Sequence, residues 1–287
     1  KEKIKNILLA FYFSAAAVAL IGIVYYFLGR LTYDGRLETF FNSPNYLAMY
    51  LSPALIIGLI LAQSQKSKVK SQDYNFGKLY FVGCVLITVS LYLTYSYAAW
   101  VALGVSFLAA KAIIKGKNIV KSKAFWISVI LILLLFSAQW NSGKLRDAYT
   151  LADRSSLASR LMIWKAAVKI ITDNPLWGIG PGNFQNKYLE YQKFFPLYLE
   201  WAVPHPHNLF LTVFLYSGLT GLVGFGWLSV TWLKAVIAKE NSQLKLVFLA
   251  LMAYILIHGL VDTTYFKNDL AMLFWLNFLA LNLKKAP

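Results

Sequence analysis

The chain has 287 residues, of which 59% are hydrophobic and only 14% are charged. Soluble domains contain about 45–50% apolar and about 25% charged residues, so this composition excludes a disordered chain, a disulfide-rich secreted scaffold and an ordinary soluble enzyme. The net charge is +16, but the basic residues lie mostly between apolar stretches, which indicates membrane topology rather than binding to nucleic acid. The sequence therefore predicts an all-α, polytopic membrane protein with no nucleic-acid partner.

Eight apolar stretches are candidate membrane spans, since one crossing needs about 20 apolar residues. They are residues 7–28, 45–63, 79–94, 97–112, 124–139, 207–233, 246–261 and 269–283. Residues 94–97 are predicted to form a tight turn between the third and fourth spans. We treat residues 1–287 as a single transmembrane domain, with residues 141–206 as one long extracytoplasmic loop.

The charge distribution predicts the orientation of the spans. Both termini and the lysine-rich loops fall on one side, which we expect to be cytoplasmic and in contact with anionic membrane lipids. All five arginines and all three histidines fall on the other side. Arginine binds phosphate or carboxylate groups with two hydrogen bonds, and histidine titrates near neutral pH. This distribution indicates chemistry with an anionic substrate on the extracytoplasmic face; the alternative is chance in a small sample.

The loop at 141–206 is the long hydrophilic segment of the chain, and loops of this length are usually functional. We predict two amphipathic helices in it. The apolar positions of the first helix recur at helical spacing: Leu157, Leu161, Trp164, Val168 and Ile171. Ser155 or Ser156 is expected to cap its start, and Asn174 before a proline to end it. Arg160 flanks the stripe, so its guanidinium faces either the lipid headgroups or a functional site.

The two predicted helices are joined by a glycine-rich segment that contains Gly178 and Gly180. Glycines permit turns that direct successive backbone N–H groups at an anion, which makes both residues substrate-binding candidates; the alternative is a plain turn. The second helix is predicted to carry four aromatic side chains on one face: Phe184, Tyr188, Tyr191 and Phe195. Such a face suits the membrane interface or a lipid-covered rim.

The loop ends at His205-Pro206-His207-Asn208. Proline favours the first helical turn, so we expect His207 at a helix start near the outer membrane edge. The positive end of the helix dipole disfavours the imidazolium ion, which would keep His207 neutral and able to accept a proton. The alternatives are a capping role for His207 and a metal ion on the two histidines. We predict no metal and no cofactor, because no cysteine or acidic cluster accompanies them in the sequence.

The last spans contain small and ionisable residues at helical spacing. Gly218, Gly221 and Gly224 recur every third residue, which favours close helix packing in lipid. His258 and Asp262 lie four residues apart and are expected to share a helix face. Asp262 would orient His258, or both would line a polar cavity. Ionisable residues at membrane depth are candidate functional groups.

Five short motifs, taken in order, resemble those of the O-antigen ligase and O-antigen polymerase superfamily of bacterial membrane glycosyltransferases. They are Arg36 with Ser-Pro-Asn-Tyr-Leu-Ala at 43–48, Arg160-x3-Trp164, Asn-Pro-x-x-Gly-x-Gly at 174–180 with Asn-Phe at 183–184, His207-Asn208-x-x-Leu211-x6-Gly218-x-x-Gly221, and His-Gly-Leu-Val-Asp at 258–262. The resemblance covers nearly the whole chain. Members usually have more spans, so the chain resembles the C-terminal part of one.

The resemblance implies an all-helical, C-type glycosyltransferase in the bacterial inner membrane that needs no metal. Its donor would be a glycan on polyprenyl diphosphate at the extracytoplasmic face, and its acceptor another glycan, a lipid core or a protein. His207, Arg160 and Arg36 are the expected catalytic residues. The other expected substrate-binding residues are Arg30, Arg154, Tyr97, Asn208, Gly178, Gly180, His258 and Asp262. The arginines would neutralise the diphosphate, and His207 would help to deprotonate the acceptor hydroxyl.

One position departs from the superfamily pattern. Members often have an arginine after the serine that begins the fourth span here, whereas this chain has Tyr97 after Ser96. Tyrosine donates one hydrogen bond but carries no charge at neutral pH. Either Arg36 or Arg30 replaces the missing cation, or the protein is a non-catalytic subunit of a polysaccharide assembly complex. A small-anion transporter of the bicarbonate type is a further alternative, and the sequence does not distinguish a ligase from a polymerase.

Overall fold

The computed structural model describes residues 2–65, 74–115, 155–195, 202–263 and 268–285, with isolated positions between 137 and 150. The elements in these ranges are helices, as predicted. They are α1 (Glu2–Phe27), α2 (Pro44–Gln65), α3 (Tyr74–Leu93), α4 (Tyr97–Lys115), α5 (Ser156–Asp173), α6 (Phe184–Tyr191), α7 (Leu209–Ile237), α8 (Gln243–His258) and α9 (Asn268–Leu276). Short 3-10 helices follow α6 at Gln192–Phe194 and α9 at Asn277–Asn282.

Four of the described helices are long and apolar enough to cross a membrane. These segments are Glu2–Phe27, Pro44–Ala62, Tyr97–Ile114 and Leu209–Ile237. Shorter apolar helices occupy Gly77–Leu93, Gln243–His258 and Leu270–Asn282, where three other spans are predicted. The predicted span at 124–139 lies almost wholly outside the described residues. The chain thus has the apolar helices of a membrane protein, and the number of eight spans stays a prediction.

The predicted turn between the third and fourth spans is confirmed. α3 ends at Leu93 and α4 begins at Tyr97, with Tyr95 between them at a φ of 49°. The carbonyl oxygen of Ser96 accepts hydrogen bonds from the backbone N–H groups of Ala99 and Trp100, which starts α4.

The chain forms two compact units. The first comprises Lys1–Ile132, Ala235–Ile257 and Asn268–Pro287, and the second comprises Leu133–Lys234 and His258–Lys267. α1, α2 and α3 pack together in the first unit. Tyr12 lies between them, fully buried, and its hydroxyl donates a hydrogen bond of 2.6 Å to the carbonyl oxygen of Tyr80. Its ring fits because Gly58 and Gly83 carry no side chain at the points where it approaches.

Two lysines predicted to contact lipid headgroups are instead buried in the first unit. Lys245 donates from Nζ to the carbonyl oxygens of Ile237 at 2.7 Å and Lys239 at 2.8 Å, and so satisfies carbonyl groups at the end of α7. Lys239 donates from Nζ to the carbonyl oxygen of Leu281. The headgroup interpretation is wrong for these two, because terminal carbonyl groups of a helix need donors and a lysine near the C-terminus supplies one.

Candidate functional site

The site of interest lies in the second unit, where α5 and α6 form a small apolar core. Ser155 caps α5 as predicted, its Oγ accepting a 3.1 Å hydrogen bond from the N–H of Ala158, and the helix ends at Asp173 before Asn174. The buried face of α5 holds Met162, Ile163, Ala166, Ala167 and Ile170. This core gives α5 a fixed position from which Arg160 and Trp164 project.

The apolar surfaces of these two helices differ from the prediction. Phe184 and Tyr188 are fully buried against the α5 core, so they do not form the lipid-covered rim that their spacing suggested. In contrast, Leu157, Leu161 and Val168 of the predicted α5 stripe are exposed. The helical period identified two amphipathic helices, but both have apolar residues on more than one face. The helical spacing of apolar residues therefore did not identify which face of each helix is buried.

The glycine segment after α5 packs against a kink in α7. Gly218 has a φ of 66° and a ψ of −163°, which interrupts the helix. The N–H of Ile179 donates to the carbonyl oxygen of Leu215 at 2.6 Å, and the N–H of Leu219 donates to the carbonyl oxygen of Pro175 at 3.0 Å. Backbone groups that the kink leaves without helical partners are thus paired with the loop.

Gly178 and Gly218 both need to be glycine in this arrangement. Gly178 has a φ of 67°, and a Cβ there would contact the carbonyl oxygen of Leu215. A Cβ on Gly218 would likewise contact the carbonyl group of Leu176. Gly218 therefore allows close approach of a loop, not of a neighbouring helix as predicted. Gly180, at a φ of 79°, lies one residue beyond this contact, and an anion-binding role for Gly178 and Gly180 stays a prediction.

α7 begins two residues later than predicted. Asn208 precedes its first residue, Leu209, and its Oδ1 accepts a hydrogen bond from the N–H of Leu211 at 3.0 Å, as a helix cap does. Its Nδ2 donates to the carbonyl oxygen of Leu260 at 2.8 Å. His207 lies outside the helix at a φ of 47°, so its predicted position in the helix start is wrong. The backbone hydrogen bonds of the Asn208 cap, and not Pro206, set the boundary.

Asp262 is the centre of the site. Its carboxylate is 3% exposed, with Oδ1 3.4 Å from His207 Nδ1 and Oδ2 3.7 Å from the Arg160 guanidinium. Burial alone would raise the pKa of Asp262, but the adjoining His207 and the positive charge of Arg160 hold that pKa well below its ordinary value. Asp262 is therefore an anion at neutral pH.

Two side chains of α5 position the groups around this carboxylate. Arg160 reaches Asp262, and Trp164, one turn later, donates from Nε1 to the carbonyl oxygen of Pro206 at 2.9 Å. His207 follows directly, and its imidazole is 30% exposed whereas Asp262 is buried behind it. With Nδ1 directed at Asp262, the Nε2 atom of His207 is the one available to a substrate. Such a pair can hold a proton on Nδ1 and accept another on Nε2.

His258 does not share a helix face with Asp262, because α8 ends at His258. Asp262 lies in the following turn, where its N–H donates to the carbonyl oxygen of His258 at 3.1 Å. His258 is buried at 2% exposure. His205 is also buried, and its ring centroid lies 4.4 Å from that of His207. His205, His207 and Asp262 are the described residues able to offer three metal-ligand atoms within reach of one another.

Arg36 lies in the first unit and holds the turn between α3 and α4. Its Nε donates to the carbonyl oxygen of Thr94 at 2.8 Å, and an Nη atom donates to Asn45 Oδ1 at 2.9 Å. Ser96 also donates to Asn45 Oδ1, at 3.2 Å. Asp34 lies 3.7 Å from the guanidinium. The predicted Arg36 and Pro-Asn motif thus forms a real polar network.

Two other predicted residues of the first unit, Arg30 and Tyr97, make aromatic contacts. Arg30 is exposed, with its guanidinium 5.3 Å from the centre of the Tyr25 ring. Tyr97 packs edge-on against Trp100, with ring centroids 5.3 Å apart and an interplanar angle of 87°. Arg154 lies outside the described residues. The convergence of Arg36 with Arg160 stays a prediction, since they belong to different units.

Sequence comparison supplies independent information on this site. Residues 82–226 match the model of the O-antigen ligase family. A protein of Rickettsia conorii provisionally named a polysaccharide ligase is 30% identical over 151 residues, which cover 49% of this chain and 35% of that protein. A protein of Rickettsia typhi with the same provisional name is 31% identical over 176 residues, or 58% of this chain and 41% of that protein. The chain spans less than half the length of either relative.

Proposed function

The chain belongs to the O-antigen ligase family, and from that premise we propose that it transfers a glycan from a polyprenyl-diphosphate donor to a glycan, lipid-core or protein acceptor at the extracytoplasmic face of the bacterial inner membrane. The observation that carries the proposal is the cluster of His207, Asp262 and Arg160, which combines a proton acceptor, a buried carboxylate and a cation. In this proposal both termini are cytoplasmic and the loop at 141–206 is outside.

His207 is the general base. Its Nε2 accepts the proton of the acceptor hydroxyl while that oxygen attacks the anomeric carbon of the donor sugar. Asp262 accepts the Nδ1–H of the same ring, which fixes the tautomer and stabilises the imidazolium that forms. The two atoms lie 3.4 Å apart without the geometry of a hydrogen bond, and such contacts often shorten and align when substrate binds.

The leaving group is polyprenyl diphosphate. As the new glycosidic bond forms, the bond from the anomeric carbon to the diphosphate oxygen breaks, and negative charge develops on the diphosphate. Arg160 supplies a cation next to His207, and its Nε is buried with no hydrogen-bond acceptor among the described residues. A guanidinium directed at the developing charge lowers the barrier without proton transfer. Arg36 is proposed as a further diphosphate-binding cation on the ground of its sequence motif alone.

Trp164 and Asn208 keep the base in position. Trp164 ties α5 to the carbonyl oxygen of Pro206, and Asn208 ties the start of α7 to the turn that carries Asp262. A displacement of the base by about 1 Å can cost about a hundredfold in rate, so these contacts serve the chemistry without touching the substrate.

The experiment uses the purified full chain in lipid nanodiscs with a polyprenyl-diphosphate-linked oligosaccharide and a glycan acceptor. We expect one polyprenyl diphosphate released for each glycan transferred. Arg160→Ala should lower transfer about ten- to a hundredfold, the effect of losing a charge-assisted hydrogen bond, and Arg36→Ala should do the same. The matched control is Lys193→Ala, which removes an exposed cation of the 3-10 helix after α6, near the Phe194 ring. Unchanged transfer in both arginine variants would contradict the diphosphate site.

A further inference from the structure

The two histidines around Pro206 and the carboxylate of Asp262 have the spacing of a metal-binding group. One ligand atom from each of His205, His207 and Asp262 lies within 4.8 Å of the other two. Zinc bonds to histidine nitrogen and carboxylate oxygen are about 2.0–2.1 Å long, so two ligands of a tetrahedral ion lie about 3.3 Å apart. The measured 3.4 Å between His207 Nδ1 and Asp262 Oδ1 agrees with that spacing.

The surroundings of the three groups also suit a cation. Oδ2 of Asp262 lies 3.7 Å from the Arg160 guanidinium, and Oδ1 lies 3.4 Å from His207 Nδ1 and accepts a 2.8 Å hydrogen bond from the N–H of Thr263. Carboxylate ligands of metals are commonly held from behind in this way by a hydrogen-bonding neighbour. His205 and Asp262 are buried, whereas His207 is 30% exposed, so His207 is the ligand nearest to solvent. Two imidazoles and one carboxylate favour Zn²⁺ over Mg²⁺ or Ca²⁺.

We propose that His205, His207 and Asp262 bind one Zn²⁺ ion and that this ion switches off glycan transfer. Coordination uses the lone pair on Nδ1 of His207. A neutral imidazole carries one N–H, so its proton must then be on Nε2. The atom that accepts the proton of the acceptor hydroxyl becomes a donor, and the base is lost.

This inhibition rests on the proposed function of His207, whereas the binding of the ion does not. The imidazole ring carries one N–H in both states, because it loses the proton on Nδ1 and gains one on Nε2. Transfer itself needs no metal in this scheme, and removal of the ion restores the base. The site would therefore make the enzyme sensitive to free Zn²⁺ at the extracytoplasmic face.

The first arm of the test measures binding without substrate. The full chain is purified in nanodiscs with a tag that contains no histidine, stripped with EDTA, and equilibrated with Zn²⁺. We expect one ion per chain, and His205→Gln should weaken binding at least tenfold, in line with the roughly 10–100-fold effect of disturbing even outer groups of a metal site. Asp173→Asn, which changes an exposed carboxylate that pairs with Lys169 at 3.0 Å, should bind like wild type. No stoichiometric Zn²⁺ in wild type, or equal affinity in His205→Gln, would overturn the site.

The second arm measures transfer. Zn²⁺ should inhibit wild type and EDTA should restore it, whereas His205→Gln should transfer without Zn²⁺ and need at least tenfold more Zn²⁺ for the same inhibition. Bound Zn²⁺ with unchanged transfer would overturn the switch. Absence of transfer in metal-free wild type would instead contradict the proposed function and leave the binding result intact.

A third measurement serves if His205→Gln does not fold. Diethyl pyrocarbonate modifies neutral imidazoles, and peptide mass spectrometry of wild type reports the modification of His205 and His207 separately. His207 is the exposed ring of the two, and Zn²⁺ should reduce its modification at least tenfold. Equal modification with and without Zn²⁺ would overturn the site.

Discussion

Replacement of Asp262 by asparagine tests how the site holds its base. The side chain keeps its size but loses its charge. Because the Arg160 guanidinium only donates hydrogen bonds, the amide oxygen is expected to face Arg160 and the amide N–H to face His207 Nδ1. If the N–H faces His207, the ring must carry its proton on Nε2 and cannot accept one from the acceptor hydroxyl. The variant should therefore lower kcat while it leaves the donor concentration for half-maximal rate nearly unchanged.

The magnitude follows from the role of Asp262 as a positioning residue. Help from a general base contributes about 10²–10⁴-fold, which corresponds to about 2.7–5.4 kcal/mol of activation free energy. Asp262 acts through His207, so its replacement cannot cost more than loss of the base. Once His207→Ala is present, adding Asp262→Asn should lower the rate by less than about threefold, since residues that act as a unit are not additive.

The assay is glycan transfer by wild type, the two single variants and the double variant. Asp173→Asn is the matched control, because Asp173 is an exposed carboxylate at the end of α5 that is bound to Lys169 and Tyr191. It should transfer like wild type. Independent, multiplicative losses in the Asp262→Asn and His207→Ala variants would refute the coupling and leave Asp262 with a separate role.

The same variant has a characteristic pH dependence of stability. The pKa of Asp262 is lowered in the folded protein, so its stabilising contribution is present above the ordinary carboxyl pKa of about 3.9 and is lost as the pH falls from there toward the folded value. Asp262→Asn should therefore have a lower melting temperature than wild type at pH 7, with a smaller gap at pH 3. A gap that widens in acid would contradict the ion-pair assignment.

Three further predictions concern the helices and the topology. Gly178→Ala should lower the free energy of unfolding by about 1–3 kcal/mol through the strained φ alone, and by more because the new Cβ contacts a carbonyl group. The matched control in a denaturation series is Gly182→Ala, where φ is also positive, at 80°, but no atom lies near the new Cβ. Tyr97→Arg should lower the melting temperature because the tyrosine ring packs on a tryptophan, and a stable variant with tighter donor binding would show instead that this position belongs to the site. In a background without the native cysteine, a cysteine at Asn186 should react with an impermeant maleimide on intact cells and one at Lys78 only after permeabilisation; the reverse pattern would invert the topology.

The sequence predicted the helices well because each rests on local signals. The apolar stretches, the Ser155 cap and the Asn174 end of α5 depend on neighbouring residues only. The cap, this helix end and the apolar helices within the described ranges are seen in the structure. Predicted helix boundaries were wrong where hydrogen bonds to distant parts of the chain determine them. His207 is outside α7 because Asn208 caps the helix and bonds to the turn after α8, 52 residues away along the chain.

The residues of the site were predicted, but the contacts between them were not. His207, Arg160 and Asp262 were each selected as functional candidates, yet the sequence linked Asp262 to His258 by a helical spacing that ends when α8 ends. A metal ion on His205 and His207 was only an alternative at the level of the sequence, because the acidic residue beside them comes from a distant turn. Likewise, the aromatic spacing in α6 could not reveal that Phe184 and Tyr188 face a core and not lipid.

The most direct test of the account is a single-turnover transfer with wild type, His207→Ala and His205→Ala, using metal-free protein and saturating donor. Each protein is first shown to bind the polyprenyl-diphosphate-linked oligosaccharide with similar affinity. We expect His207→Ala to transfer about 10²–10⁴-fold more slowly, whereas His205→Ala should stay within about tenfold of wild type. Equal rates in wild type and His207→Ala, or equal losses in the two histidine variants, would contradict the assignment of His207 as the base.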